Sequence, residues 1–257
     1  VSTTFFFTAD SGSAVKLSKF DPTTDADKTN LTDAFGSTTA AYDLVANRAG
    51  TGFWLAANTT VPATTLRPFN SSGAAGSDIT GPAVLYDHVA IRETLTRVHL
   101  VSVLAAGTCE LRSFTLAGAL STGPTTVVAT SDRQPGITDA TTGGVEAVFI
   151  AVEETATIND VAVTQLNALT HALIALATIA DTFLGAKPAV SGTPNYHHIY
   201  GAVQTDGSFF STWIAPYSAS SNRLLGAYTN KFAATKTAAN HTPQIARDSS
   251  TGKFYWP

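Results

Sequence analysis

The residues most able to do chemistry are oxygen ligands near the start of the chain. Asp21, Asp25, Asp27, Asn30 and Asp33 crowd into one short segment. Carboxylate and amide oxygens at such spacing suit Ca²⁺, a hard cation that takes about six to eight oxygens. The EF-hand arrangement is absent, because Asn30 stands where its glycine should be and Gly36 where its bidentate glutamate should be. The segment therefore reads as a solvated acidic loop, with Asp21, Asp25, Asp27 and Asn30 as the Ca²⁺ candidates, and no other cofactor is expected. His197 and His198 are adjacent, so on a strand they point to opposite faces and do not readily hold one metal. The glutamates (Glu93, Glu110, Glu146, Glu153 and Glu154) show no recurring acid pair of the kind that hydrolysis of glycosides requires. Rings that could stack on sugars are Trp54, Tyr200, Trp213, Tyr217, Tyr228 and Trp256. Most fall in apolar stretches that read as core; Tyr217 and Tyr228, beside polar loops, are the ligand-binding candidates.

Other signals of catalysis are missing. No P-loop, dinucleotide fingerprint, zinc-protease helix, paired-cysteine or nucleophile-elbow motif occurs. Asp10-Ser11-Gly12 shares residue types with the nucleophile segment of trypsin-like proteases, but no glycine precedes the Asp and no His–Asp pair lies upstream. It reads as a turn. One cysteine, Cys109, cannot form an intramolecular disulfide and reads as a small residue in a turn or in the core. Sequons start at Asn30, Asn58, Asn70 and Asn240; chance supplies about two or three in so Ser- and Thr-rich a chain, so they fix no compartment.

The elements that must carry these residues repeat. L-x-x-F occurs as Leu17 to Phe20, Leu66 to Phe69 and Leu111 to Phe114, with looser forms from Val163 to Leu166 and from Phe210 to Trp213. The starts are 49, 45, 52 and 47 residues apart. About ten residues before each lies an apolar cluster: Phe5-Phe6-Phe7, Phe53-Trp54-Leu55, Val98 to Val101, Val148-Phe149-Ile150, and Ile199-Tyr200. A sixth, Phe254-Tyr255-Trp256, ends the chain. Turn residues such as Asp10 to Ser13, Asn58-Thr59-Thr60, Ala106-Gly107-Thr108 and Asp206-Gly207 separate cluster from motif, so each unit reads as strand, turn, strand. A third apolar run follows most motifs, and a weaker fourth run precedes the next cluster, as in Tyr42 to Ala46 and Val89 to Ile91.

Four short strands every 45 to 52 residues resemble the repeat of a β-propeller over essentially the whole chain. That resemblance is architectural and implies no site residue, since the Trp-Asp signature of one propeller class is absent. It implies an all-β fold: a β-propeller of five blades, or six, each a four-stranded antiparallel sheet, in one domain over 1–257. The approximate units are 1–50, 51–96, 97–145, 146–195 and 196–257, and a strand from the tail would close the ring. One segment pulls the other way. Leu166, Leu169, Leu173, Leu176, Ala180 and Phe183 follow the 3–4 spacing of an amphipathic helix; their alignment with the other units favours strands.

Composition bounds the function. The chain has 257 residues, 44% hydrophobic and only 13% charged, with 15 basic and 19 acidic side chains and a net charge of −4. A soluble domain averages about 25% charged residues. The negative balance argues against a nucleic-acid partner, which needs a basic footprint. No stretch of about 18 apolar residues suits a membrane span, and no secretory leader pattern opens the chain. With no Met anywhere, a chain beginning at Val1 is expected to be trimmed or mature. The Thr-, Ala-, Ser- and Gly-rich composition also resembles tail and virion proteins of bacteriophages. A repeat scaffold without a catalytic constellation implies a non-enzymatic structural or interaction protein, a subunit of a larger virion or extracellular assembly with other protein subunits as partners. The alternative is a secreted carbohydrate-binding propeller; a further one is a hydrolase or lyase at the central channel.

Overall fold

A computed structural model of the chain describes residues 5–10, 15–21, 26–31, 35, 38–59, 64–81, 86–105, 107–131, 135–142, 145–154, 160–179, 189–192, 196–204, 209–218, 223–224, 229–235, 246–247 and 254–255. Side chains are described chiefly between 41 and 176. All the described secondary structure is strand, in antiparallel sheets that follow one another along the chain. Among the described residues no helix is long and apolar enough to cross a membrane.

The first sheet holds β1 (Phe5–Asp10), β2 (Val15–Asp21) and β3 (Ala26–Leu31). The second holds β4 (Thr38–Ala46), β5 (Gly52–Thr59), β6 (Thr64–Asn70) and the two-residue β7 (Ile79–Thr80). The third holds β8 (Tyr86–Glu93), β9 (Arg97–Leu104), β10 (Cys109–Thr115) and β11 (Leu120–Val128). The fourth holds β12 (Gly136–Thr142), β13 (Val145–Glu154), β14 (Asp160–Asn167) and β15 (Leu173–Ile179). The fifth runs β16 (Ala189–Gly192), β17 (Tyr196–Gln204), β18 (Phe209–Ser218) and β19 (Arg223–Leu224), with β20 (Thr229–Thr235) also on β18. β21 (Ala246–Arg247) and β22 (Phe254–Tyr255) pair with each other, and no pairing of either with β1 is among those described.

The edge strands β4, β8, β12 and β16 touch in succession, while the last strand of each sheet lies at the opposite edge. Sheets stacked face to face around a shared row of first strands are propeller blades. From the second sheet on, each blade starts one strand earlier than the units counted from the apolar clusters, because the weaker run before the cluster pairs forward: Ala46 lies opposite Phe53, and Glu93 opposite Val98.

L-x-x-F falls on the third strand of the later sheets and on β2 of the three-stranded first sheet, and its spacing has a direct cause. Side chains three apart on a strand leave opposite faces, and both faces of a blade are buried. Leu66 packs toward the third sheet with Trp54, Ala56, Val89, Leu100 and Phe114. Phe69, three residues on, packs toward the first sheet with Val15, Leu17, Phe53 and Leu55. Leu111 likewise joins Val101, Val103 and Cys109 against Ile137, Val148, Ile150 and Leu166 of the fourth sheet. Phe114 turns back to the second sheet.

The Leu166 to Leu176 stretch is a β-hairpin, and Ala180 and Phe183 lie outside the described residues. Leu166 ends its strand facing the core; Leu169 sits in the turn; Leu173, Ile174 and Leu176 stand on the blade's outermost strand, each at least 40% exposed. A solvent-facing outer strand leaves its leucines on either face unburied, which produces helix-like spacing without a helix.

Candidate functional site

Three groups of polar side chains sit where blades meet, and an open cleft joins one of them.

The first group lies on the row of first strands. Asp43 of β4 accepts from its neighbour Leu44 N–H at 2.9 Å and from Ile91 N–H of β8 at 2.8 Å. Burial raises its carboxyl to about 6 against the lowering pull of those two donors. Glu93, at the end of β8, and Asp139, in the middle of β12, occupy matching places in the register, opposite Val98 and Val148. Glu93 takes the Trp54 indole N–H at 2.5 Å and the Arg48 backbone N–H at 3.2 Å. Asp139 accepts from Arg92 at 2.8 Å and from Arg48, one blade further, at 2.7 Å. Burial alone would raise Asp139, but the charge and hydrogen bonds of Arg92, with the charge of Arg48, hold it below the usual carboxylate value. Glu146 adds a third clamp, accepting from Leu95 N–H and from the Thr96 hydroxyl of the preceding blade. Glu93, Asp139 and Glu146 each tie their blade to the one before it, and Asp43 ties its blade to the one after it. The recurrence of Glu93 and Asp139 escapes a residue-by-residue search because the two acids differ in type.

The second group is carried by the residue after Leu in L-x-x-F, which faces the preceding blade. It is Arg67 in the second sheet and Arg112 in the third, an L-R-x-F pair visible in the sequence and not weighed there. Arg67 grips Asp78 with two nitrogens, one at 2.7 Å, and lies over the Phe35 ring at 4.5 Å. Beside it Phe53 and Phe69 stack at 4.8 Å. Arg112 is buried and pairs with Glu110 at 2.8 Å. In the fourth sheet Thr164 takes the same place, and its hydroxyl has no hydrogen-bond partner among the described residues.

The cleft opens between the second and third sheets, with a volume of about 430 Å³. Ser77, Asp78, Ile79 and Thr80 form one wall; Leu116, Ala117, Gly118 and Leu120 form the other; Trp54, Pro68 and Phe114 close the floor. Leu116 is 45% and Leu120 58% exposed, whereas Trp54 and Phe114 are almost fully buried. The second wall is the β10–β11 turn, closed by Gly118 N–H to Thr115 C=O at 2.8 Å. Gly118 has φ +93°, and a Cβ there would stand 2.7 Å from the Ile79 side chain. Only glycine permits that conformation and that approach together.

The third group is a buried chain of hydroxyls and imidazoles between the third and fourth sheets. Thr94 Oγ1 lies 3.1 Å from His99 Nε2, and His99 Nδ1 lies 2.6 Å from Ser113 Oγ. Ser113 Oγ lies 2.5 Å from His171 Nε2, and Thr125 Oγ1 lies 2.9 Å from His171 Nδ1. Burial pulls His99 down to about 3, helped by His171 and Arg97, and burial also lowers His171.

The residues singled out from the sequence lie in different parts of the fold. His99 stands on the second strand of its blade and is buried in the seam. Asp27 and Asn30 belong to β3, opposite Phe20 and Ser18, and lie three residues apart on a strand, so they do not share a loop. Asp21 ends β2 opposite Ala26, and Asp25 lies outside the described residues. Tyr217 is on β18 opposite His197 and Leu224, with its side chain outside the description, as is all of Tyr228. Trp54, read as core, is core and cleft floor at once. Cys109 is buried, and burial pushes its thiol up to about 12.

No protein-family model matches the chain, and no curated protein matches it. Solved structures do. A triple arginine mutant of AofleA from Arthrobotrys oligospora superimposes with a TM-score of 0.59 at 11% identity, over 89% of this chain and 71% of that one. The SapL1 lectin in complex with alpha methyl fucoside gives 0.56 at 10% identity, over 87% and 77%. An alpha-L-arabinofuranosidase from Clostridium thermocellum gives 0.52 at 11% identity, over 85% and 81%. The fold is thereby that of propeller-type lectins and glycosidases. The compositional likeness to phage tail and virion proteins finds no support in these neighbours.

Proposed function

We propose that the protein binds carbohydrate, at the cleft between the second and third sheets. The observation that carries this reading is the make-up of the cleft walls. One wall offers an exposed carboxylate and two hydroxyls (Asp78, Thr80 and Ser77), and the other offers exposed Leu116 and Leu120. A sugar presents the same division, hydroxyl edges and an apolar ring face. Arg67 fixes Asp78 through two nitrogens, so the carboxylate can accept from sugar hydroxyls without first losing side-chain freedom. The lectin and glycosidase neighbours support the reading at the level of fold alone.

Binding, rather than cleavage, is what the axial acids favour. Asp139, Glu93 and Asp43 are each engaged by guanidinium, indole or backbone donors. A glycosidase needs one carboxyl to give a proton and another to attack or to activate water. The reading as a subunit of a virion or extracellular assembly gives way to this one, since it rested on composition and on missing motifs.

The test is a panel of neutral monosaccharides titrated into the protein by heteronuclear NMR, with Asp78→Asn and Leu120→Asp beside the wild type. Shifts confined to 77–80 and 114–120, weakened at least tenfold in both variants, are expected. Binding unaffected by both variants, or no binding across the panel, would remove the cleft. Release of reducing sugar from an arabinan or a galactan would shift the function to hydrolysis.

A further inference from the structure

The hydroxyl–imidazole chain has a property that a plain polar contact lacks. Thr94, His99, Ser113, His171 and Thr125 are linked end to end, and each imidazole has both nitrogens engaged by hydroxyl oxygens. The protons can run either way along it. In one direction Thr125 donates to His171 Nδ1, His171 Nε2–H to Ser113, Ser113 to His99 Nδ1, His99 Nε2–H to Thr94, and Thr94 to the Arg97 carbonyl at 3.4 Å. In either direction each ring gives one proton and accepts one, so both rings are neutral.

The chain also reaches the cleft. Ser113 and Thr125 sit on β10 and β11, the turn joining those strands carries Leu116, and Leu120 opens β11. His171 and Leu169 belong to the β14–β15 turn of the next blade, and Thr122 of β11 donates to the Leu169 carbonyl at 2.8 Å. The fourth sheet thus holds the β10–β11 hairpin from behind while the hairpin's tip walls the cleft in front. His171 is held at φ 59°, a left-handed conformation that non-glycine residues seldom adopt. It is 5% exposed.

We propose that this chain is an acid-released latch: protonating its imidazoles frees the β10–β11 hairpin from the fourth sheet and loosens the cleft wall. A buried imidazolium has lost water, and no carboxylate in the chain receives it. The charged groups around it do not repair this. Arg97 on β9 and Arg92 on β8 add positive charge. Asp139 on β12 attracts an imidazolium at His99 but is already held by Arg92 and Arg48, and Glu146 at the start of β13 is bound to Leu95 and Thr96. The latch does not depend on what the cleft binds.

The experiment is amide hydrogen exchange of the whole chain between pH 7.5 and 3.5, corrected for the intrinsic pH dependence. Wild type is compared with His171→Gln, whose amide can bond Ser113 but does not titrate. Protection of peptides across 110–128 is expected to fall at least tenfold in wild type as pH drops, and to stay flatter in the variant, while peptides across 53–58 change little in both. The proposal is overturned if wild-type protection across 110–128 is constant over this range, or if wild type and variant lose it alike. Should the variant not fold, imidazole NMR of wild type decides. Both rings must stay neutral well below pH 6.5 and titrate together with the loss of β10–β11 protection. A ring that titrates with those amides undisturbed sinks the latch.

Discussion

The seam between the second and third sheets and the seam between the third and fourth are built on equivalent strands, yet one opens into a cleft and the other is filled. The outer edge explains the difference. The second sheet ends in the two-residue β7, with a loop over 71–78 before it, and the cleft opens beside that short strand. The third sheet ends in the nine-residue β11, and the Leu169–His171 turn of the fourth sheet folds onto it. Deeper in, the two seams also diverge at one matched position. The second seam buries Arg112 with Glu110, whereas the third places Thr164 among Ile150, Val152 and Leu166. A propeller can therefore use one blade template for a binding surface or for a closed joint by changing the length of its outermost strand.

The largest effect expected on the closed joint comes from its aliphatic core. Ile150→Ala should cost about 3 kcal/mol in chemical denaturation, whereas Leu120→Ala at the open seam should stay within about 0.5 kcal/mol while weakening sugar binding. A similar cost at both sites would erase the distinction between the seams. Next is Ser113→Ala, which leaves a nitrogen of each imidazole without its partner and should cost about 2 kcal/mol.

The pH dependence sharpens the comparison. His99 has a folded pKa near 3 against an ordinary 6.5, so the unfolded chain binds more protons between those values. Its contribution to stability is complete above about pH 6.5 and is lost as pH falls toward 3. Asp43 has the opposite sign. Raised to about 6, it favours folding below about pH 4, and that contribution disappears as pH climbs through 6. Denaturation midpoints followed from pH 3.5 to 8 should show Ser113→Ala and His171→Gln flattening the acid limb. Asp43→Asn should gain of the order of 1 kcal/mol at pH 8 relative to pH 4. An effect of similar size is expected for Glu93→Gln, which weakens but does not remove the acceptor for the Trp54 indole and should cost about 1 kcal/mol.

Much of this architecture was legible in the sequence, for physical reasons. L-x-x-F marks the third strand because a leucine and a phenylalanine three apart fill the two faces of a blade buried on both sides. Gly107 was legible as a turn, and it closes β9 to β10 at φ +93°. The phase of the blades was not, because first strands such as Thr38–Ala46 are weakly apolar: they face a crowded axis where Asp43, Arg92 and Asp139 satisfy backbone and charge. The cleft was illegible because it is made by what is short, β7, and by residues such as Asp78 and Leu120 that look like ordinary loop positions. Arg67 and Arg112 carried a signal, an arginine repeated inside the motif, which shows only once both strands are placed side by side. The helix-like leucines from Leu166 to Leu176 show the reverse error, where spacing alone reports exposure on an outer strand as if it were an amphipathic face.

The most direct test of the account is the affinity of the wild-type protein and of Asp78→Asn for neutral monosaccharides, with the folded state of each verified by its thermal midpoint. The account predicts saturable binding by the wild type, a loss of at least tenfold in the variant, and midpoints that coincide. Equal affinity in two equally stable proteins would contradict it.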